Sequence, residues 1–308
     1  MDDDGSNQTL LTESEALRPH PNSWSPDGKL IAFQRRARPN KNYAISLMNS
    51  DGTNIRQLTP EEWQSVGRVS FSPDSKSIVF NRTVRKNNIE NYNITVLNIH
   101  TGKMEDISDM HATFCDWSPD GRYIIFTEPL RLGLGGGTIW IMGQNGQNPR
   151  RLIPAAVGRI NKHRWSPRWS PDGKQIVFRQ NEYTWEAVEG FGTSMIRKAF
   201  RIMICDRNGT NIRQLPLPKD WDYYGLDWMD DGKSIVFSAY AEIPLNEPIP
   251  RDFVWPPSNI YKYHLKTGEM TKLTDHPGTD NVLDWISDDV LSVTPAGKKK
   301  TQWGTIKK

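Results

Sequence analysis

The chain has 308 residues, 36% hydrophobic and 10% aromatic, and its 39 basic and 36 acidic side chains leave a formal charge of +3. Such a chain buries one large core or two modest ones and is not disordered. No run approaches the roughly 18 apolar residues of a membrane span, Asp2-Asp3-Asp4 lacks the basic-then-apolar order of a signal peptide, and the balanced charge gives no argument for nucleic acid.

The predicted elements repeat along the chain. GSNQTLLT at residues 5–12 reads as a turn followed by a strand, with no strand in front of it. NSWSPDGKLIAF then supplies a short strand closed by Trp24, a tight turn at Pro26-Asp27-Gly28 and an apolar strand. NYAISLMNSDGTNIRQLT adds a second hairpin about Asp51-Gly52. The first pattern returns as VSFSPDSKSIVF at Phe71, CDWSPDGRYIIF at Trp117, PRWSPDGKQIVF at Trp169 and LDWMDDGKSIVF at Trp228, and most degraded as LDWISDDVLSV at Trp285. The second turn recurs at Thr101-Gly102, Asn145-Gly146, Asn208-Gly209 and Thr267-Gly268. Pro presets φ for the first half of a turn, and Gly, Asn or Asp accepts the positive φ that hairpins demand.

Anchors 46 to 59 residues apart, each opening four strands, predict an all-β fold: a six-bladed β-propeller with four antiparallel strands per blade. One domain is expected over 1–308, with blades at about 20–59, 60–108, 109–153, 154–215, 216–274, and 275–308 plus 1–12. Three strands follow the fifth blade and the fourth would come from the N-terminus, so pairing of the two chain ends is expected to close the ring and remove an open edge. Cys115 and Cys205 occupy non-equivalent positions and are expected to be buried free thiols.

WSPDGKLIAF followed by ISLMNSDGTNIRQLT resembles the repeat of TolB-type propellers, and the resemblance runs the length of the chain. That repeat also occurs in the propellers of prolyl-oligopeptidase-like hydrolases and in oligogalacturonate lyases, so it implies the fold more than the activity. No G-x-S-x-G is present. The resemblance implies a periplasmic or secreted protein, although the given chain shows no signal peptide, and a monomer is expected.

In a propeller the short Ser-Pro-Asp-Gly and Asp-Gly-Thr turns share one face and the variable loops share the other. The variable face carries Arg35, Arg36, Arg38, Arg82 and Arg85 from the early blades, and Tyr183, Trp185, Phe191, Phe253 and Trp255 from blades four and five. Arginines take carboxylates and exposed aromatics stack on sugars or anchor peptides, which suggests a protein or glycan partner on this face. The alternative is that these aromatics pack back on the blade rim. Leu134 to Gly137 lacks the Lys-Ser/Thr of a phosphate loop and reads as a flexible loop.

Two constellations point inward. His20, His111, His163 and His276 precede the first strands of their blades, where converging imidazoles would hold a transition metal as in a lyase-like funnel enzyme. Asp116, Arg168, Asp227 and Asp284 stand just before the blade aromatics, in the register of Ser23 and Ser70. They would either hold a hard cation or pair among themselves and with backbone amides as a structural plug. The main expectation is a non-catalytic binding or scaffold propeller needing no cofactor; the alternative is a metal-dependent polysaccharide lyase.

Overall fold

Each Ser-Pro-Asp turn is held by its own side chains. Ser25 Oγ donates to Asp27 Oδ1 at 2.7 Å and accepts the Leu30 N–H at 2.9 Å, while Asp27 Oδ1 accepts the Lys29 N–H at 3.2 Å. The same bonds recur about Ser72 and Asp74, Ser118 and Asp120, and Ser170 and Asp172. The second copy has Ser75 where the others have glycine. It takes the left-handed conformation at φ 59°, and its hydroxyl accepts the Asp27 N–H of the neighbouring turn at 3.2 Å.

The computed structural model describes residues 1, 2, 4–8, 11, 20–37, 42–60, 68–86, 89–129, 137–155, 158–188, 192–250, 252–275, 277–280 and 284–286. They form antiparallel sheets of four strands in sequence order. The first has β1 (His20–Trp24), β2 (Leu30–Ala37), β3 (Asn42–Asn49) and β4 (Arg56–Gln57). The second has β5 (Ser70–Phe71), β6 (Ser77–Lys86), β7 (Ile89–Asn98) and β8 (Met104–Ser108), and the third β9 (Thr113–Trp117), β10 (Tyr123–Glu128), β11 (Thr138–Gly143) and β12 (Arg150–Ile153). The fourth contains β13 (Asn161–Trp169), β14 (Gln175–Val188), β15 (Gly192–Asp206) and β16 (Arg213–Gln214), and the fifth β17 (Asp222–Trp228), β18 (Ser234–Tyr240), β19 (Ser258–His264) and β20 (Met270–Lys272). No helix among the described residues is long and apolar enough to cross a membrane.

This corrects the expected blade count: the described residues build five four-stranded blades, not six. The Trp285 anchor reads as a sixth blade in the sequence, whereas Asp284, Trp285 and Ile286 lie in no strand and all of the chain after them is outside the described residues. Closure by an N-terminal strand is not shown either, since residues 1, 2, 4–8 and 11 carry no strand. Met1 and Trp285 pack instead against Met229, Val236, Ile260 and Leu273 of the fifth sheet, and Leu11 and Ile286 against Trp24, Ile31, Phe33 and Met48 of the first.

Sheets meet face to face through the alternating strand residues. Ala32, Ile45 and Leu47 pack on Phe71, Ile78 and Phe80, and Ile125, Ile139 and Ile141 on Ile176 and Phe178. The glycine of the outer hairpin makes the closest approach. An added Cβ on Gly146, at φ 82°, would lie 1.9 Å from the Ile107 carbonyl oxygen of the preceding sheet, and one on Gly209 2.3 Å from that of Leu152. Gly5 stands in the same way against Leu273, and Gly52 against Leu11. The hairpin turn therefore requires glycine for its φ and again for the neighbouring backbone. Cys115 and Cys205 are buried and free, as the sequence reading expected.

Candidate functional site

On the first strand of each sheet the residue before the blade aromatic turns inward, and Asp284, which lies on no strand, joins the same cluster. Arg168 on β13 occupies the centre. Its Nε donates to Asp227 Oδ1 at 2.8 Å, its Nη1 to Asp116 Oδ1 at 2.6 Å, and its Nη2 to Asp227 Oδ2 at 3.0 Å and to Asp284 Oδ1. Arg68 Nη2 reaches Asp284 Oδ1 at 3.3 Å and its Nη1 donates to the Leu226 carbonyl at 3.1 Å. The carboxylates also cross to the next unit: Asp116 accepts the Trp169 N–H, Asp227 that of Trp285 and Asp284 that of Trp24, while Ser70 Oγ accepts that of Trp117. The inner ring thus runs through the Asp284 anchor back to the first sheet.

Two buried guanidinium groups face three buried carboxyl groups, and the titration follows from that imbalance. Burial and the nearby Asp227 charge push Asp284 well above the usual carboxylate range. Burial also raises Asp116, whereas Asp227, opposed by burial, is drawn down to about 2 by Arg168 and Arg68. Burial lowers Arg68, while the three aspartates together outweigh burial and raise Arg168. Every one of these carboxylates is engaged by arginine and by backbone amide, so the cluster is arranged as a lock between blades. Arg68 was not singled out from the sequence because it lies outside the repeated register.

Below this lock, on the short-turn face, is a central recess of about 380 Å³. Its lining includes Pro26, Pro73, Pro119 and Pro171, the aromatics Trp24, Phe71, Trp117, Trp169, Trp228 and Trp285, and the lock residues Asp116, Arg168, Asp227 and Asp284. The repeat that reads as punctuation in sequence therefore lines a cavity.

On the loop-rich face the expected residues separate. Arg35 is half-buried and donates to Gln57 Oε1 at 3.0 Å; Arg82 holds Asp106 bidentately at 3.0 and 2.6 Å. Arg36 lies on β2 and Arg85 on β6, with side chains outside the described residues, as are Arg38 and Phe191 entirely. Tyr183 is buried and meets Trp185 edge-on at 6.1 Å, whereas Trp185 is 44% exposed. Phe253 packs on the core of the fourth and fifth sheets and lies edge-on to Trp255 at 5.4 Å; Trp255, 44% exposed, also contacts Tyr240 at 5.3 Å. Val254 between them is 85% exposed.

The histidines divide in the same way. His111 lies against the Tyr92 ring at 4.3 Å, and His163 stacks on Trp165 at 5.2 Å. Burial, then the Arg179 charge, pulls His163 down to about 4, so it is neutral near pH 7. The side chain of His20 and the whole of His276 are outside the described residues. Among the described residues no group of three or more His, Cys, Asp and Glu side chains is placed to hold a metal ion. Gly137, from the glycine-rich loop, has φ 64° and packs directly on the His163 ring, where a Cβ would come within 2.5 Å.

The family model for the TolB β-propeller domain matches residues 1–195. A curated relative, the uncharacterized peptidase YuxL of Bacillus subtilis, is 27% identical over 160 residues, which is 52% of this chain and 18% of that protein. The structure of TolB from Acinetobacter baumannii aligns with a TM-score of 0.55 at 18% identity, covering 82% of this chain and 54% of that one. Oligogalacturonate lyase from Vibrio parahaemolyticus aligns at 0.52 and 17% identity, covering 88% and 82%. The chain thus spans about a fifth of the curated relative and about half of the Acinetobacter protein, and at these identities the structural likeness speaks for fold alone.

Proposed function

The chain belongs to the TolB β-propeller family, and we propose that it is a non-catalytic binding propeller that engages a protein partner through the loop-rich rim of its fourth and fifth blades. The observation that carries this reading is the exposure of Trp185, Val254 and Trp255 on that rim, with Trp185 set against the buried Tyr183 and Trp255 against the half-buried Phe253 and Tyr240. Aromatic anchors fixed by packing lose little entropy on binding and are the side chains that dominate protein interfaces. Two nearby carboxylates are matched within the fold: Glu182 is paired with Arg201 at 3.1 Å and Glu186 with Lys198 at 2.9 Å. That leaves the apolar tips to supply most of the contact. A glycan that stacks on the same tryptophans is the alternative ligand of this rim. By family resemblance the proposed compartment is the periplasm or the exterior.

The test is binding of the isolated partner to wild type and to a Trp185→Ala, Trp255→Ala variant. The reading expects a loss of at least tenfold, with melting unchanged within about 2 °C; unaltered affinity would move the interface elsewhere. The lyase alternative has no supporting arrangement among the described residues, and elemental mass spectrometry with an assay on uronate polymers tests it separately.

A further inference from the structure

In β2, β6, β10, β14 and β18 the residue after the core phenylalanine is polar and buried: Gln34, Asn81, Thr127, Arg179 and Ser238. This register lies toward the loop-rich end of the channel. Arg179 is the one ionisable member, 5% exposed, and it lies over the ring of its cross-strand neighbour Trp165 with Cζ 4.1 Å from the centroid. Its contact with Asp222 is 3.4 Å, long for a charge-assisted bond. Among the described residues the buried Nε of Arg179 and the buried indole Nε1 of Trp165 have no hydrogen-bond partner, and neither do the Asn81 amide and the Thr127 hydroxyl.

A buried donor left unmet is costly, more so when charged, so two of them in one stacked pair mark a place where an acceptor belongs. We propose that Arg179 and Trp165 form a binding site for a carboxylate at the loop-side end of the channel, independent of the partner rim. The guanidinium, lying over the Trp165 ring, supplies the charge and a donor, and the indole N–H supplies a second donor; Phe114 stands edge-on to the ring at 5.7 Å and His163 stacks on it at 5.2 Å. A monoanion fits better than a phosphate dianion because Asp222 already faces the same guanidinium and its negative charge opposes a second one. The carboxylate can be that of a free organic acid or a polypeptide C-terminus.

The experiment follows the His163 ring resonances at pH 7 during titration with acetate, with acetamide, and with a tripeptide carrying a free or an amidated C-terminus. A saturable His163 shift with acetate or the free tripeptide, absent with acetamide and with the amide, is expected, while His264 on the opposite face stays fixed. Tighter binding of the tripeptide assigns a chain terminus; equal or tighter binding of acetate assigns a free acid. The shift should vanish in Arg179→Gln, and Trp165→Phe should bind about two- to tenfold more weakly through loss of one hydrogen bond. Trp165→Phe also carries the test should Arg179→Gln fail to fold. No saturable shift, the same shift in both variants, or inorganic phosphate binding more tightly than acetate would overturn the assignment.

Discussion

Replacing Arg168 by methionine removes the centre of the lock while keeping most of the side-chain volume. The variant loses the bonds to Asp227 at 2.8 and 3.0 Å, the bond to Asp116 at 2.6 Å and the contact with Asp284, leaving three buried carboxyl groups to Arg68 alone. Summing charged hydrogen bonds at about 1.5–3 kcal/mol each would overstate the effect, because the bonds share one group. Removing one partner of a buried ion pair costs about 3–5 kcal/mol, and that is the expected destabilisation at neutral pH. At roughly 2 °C per kcal/mol for a chain of this length, melting should fall by about 6–10 °C. The penalty should shrink with acidification, with a definite sign. Asp284 and Asp116 already titrate above their unfolded values, and loss of Arg168 raises both further and relieves the lowering of Asp227. The folded variant then binds more protons than the wild type, so its relative stability improves as pH falls from 7 toward 4. Calorimetry of both proteins at pH 7.5 and 4.5 checks this. A loss below about 2 °C at pH 7.5, or one that does not change with pH, would refute the view that the cluster locks the blades.

Gly146→Ala should destabilise far more than Gly102→Ala in urea unfolding, since both glycines have positive φ but only the first has a backbone oxygen at 1.9 Å from the new Cβ; equal losses would show that φ alone matters. Both cysteines should resist a thiol reagent at pH 8 until the protein unfolds, because burial pushes Cys205 up to about 12 and Cys115 higher still; rapid labelling of the native protein would contradict the packed inter-blade seams. Asp74→Asn should weaken the second turn at pH 7. The Ser72 hydrogen bond, opposed by burial, holds that carboxyl below its ordinary value, so its contribution is present above about pH 4 and lost as pH falls through the folded value. The variant's deficit should disappear in acid, and a pH-independent deficit would argue against the ionised Asp74.

The turns were legible in the sequence because their chemistry is local: Ser, Pro, Asp and Gly each have one position to fill, and four copies of the turn share one set of hydrogen bonds. Register made the inner aspartates and Arg168 legible, since the residue before each aromatic must face the same way. The blade count was not, because an aromatic anchor at Trp285 reads the same whether or not a four-stranded sheet follows it. Arg68 and Arg179 escaped for different reasons. The first lies ahead of its strand, and the second follows IVF, where the other copies place uncharged residues whose burial the sequence does not reveal. Nor does spacing show where an imidazole points: His163 stacks on Trp165, two residues further along β13.

The partner rim is tested most directly by photo-crosslinking from a single unnatural residue placed at Val254, and in a second protein at Ile212, in the cell that makes the chain. Both sites are exposed, but only Val254 belongs to the rim. The account predicts one discrete protein adduct from Val254 that is lost when Trp185 and Trp255 are both alanine, and none of that adduct from Ile212. The same adduct from both positions, or one that survives loss of the two tryptophans, would contradict it.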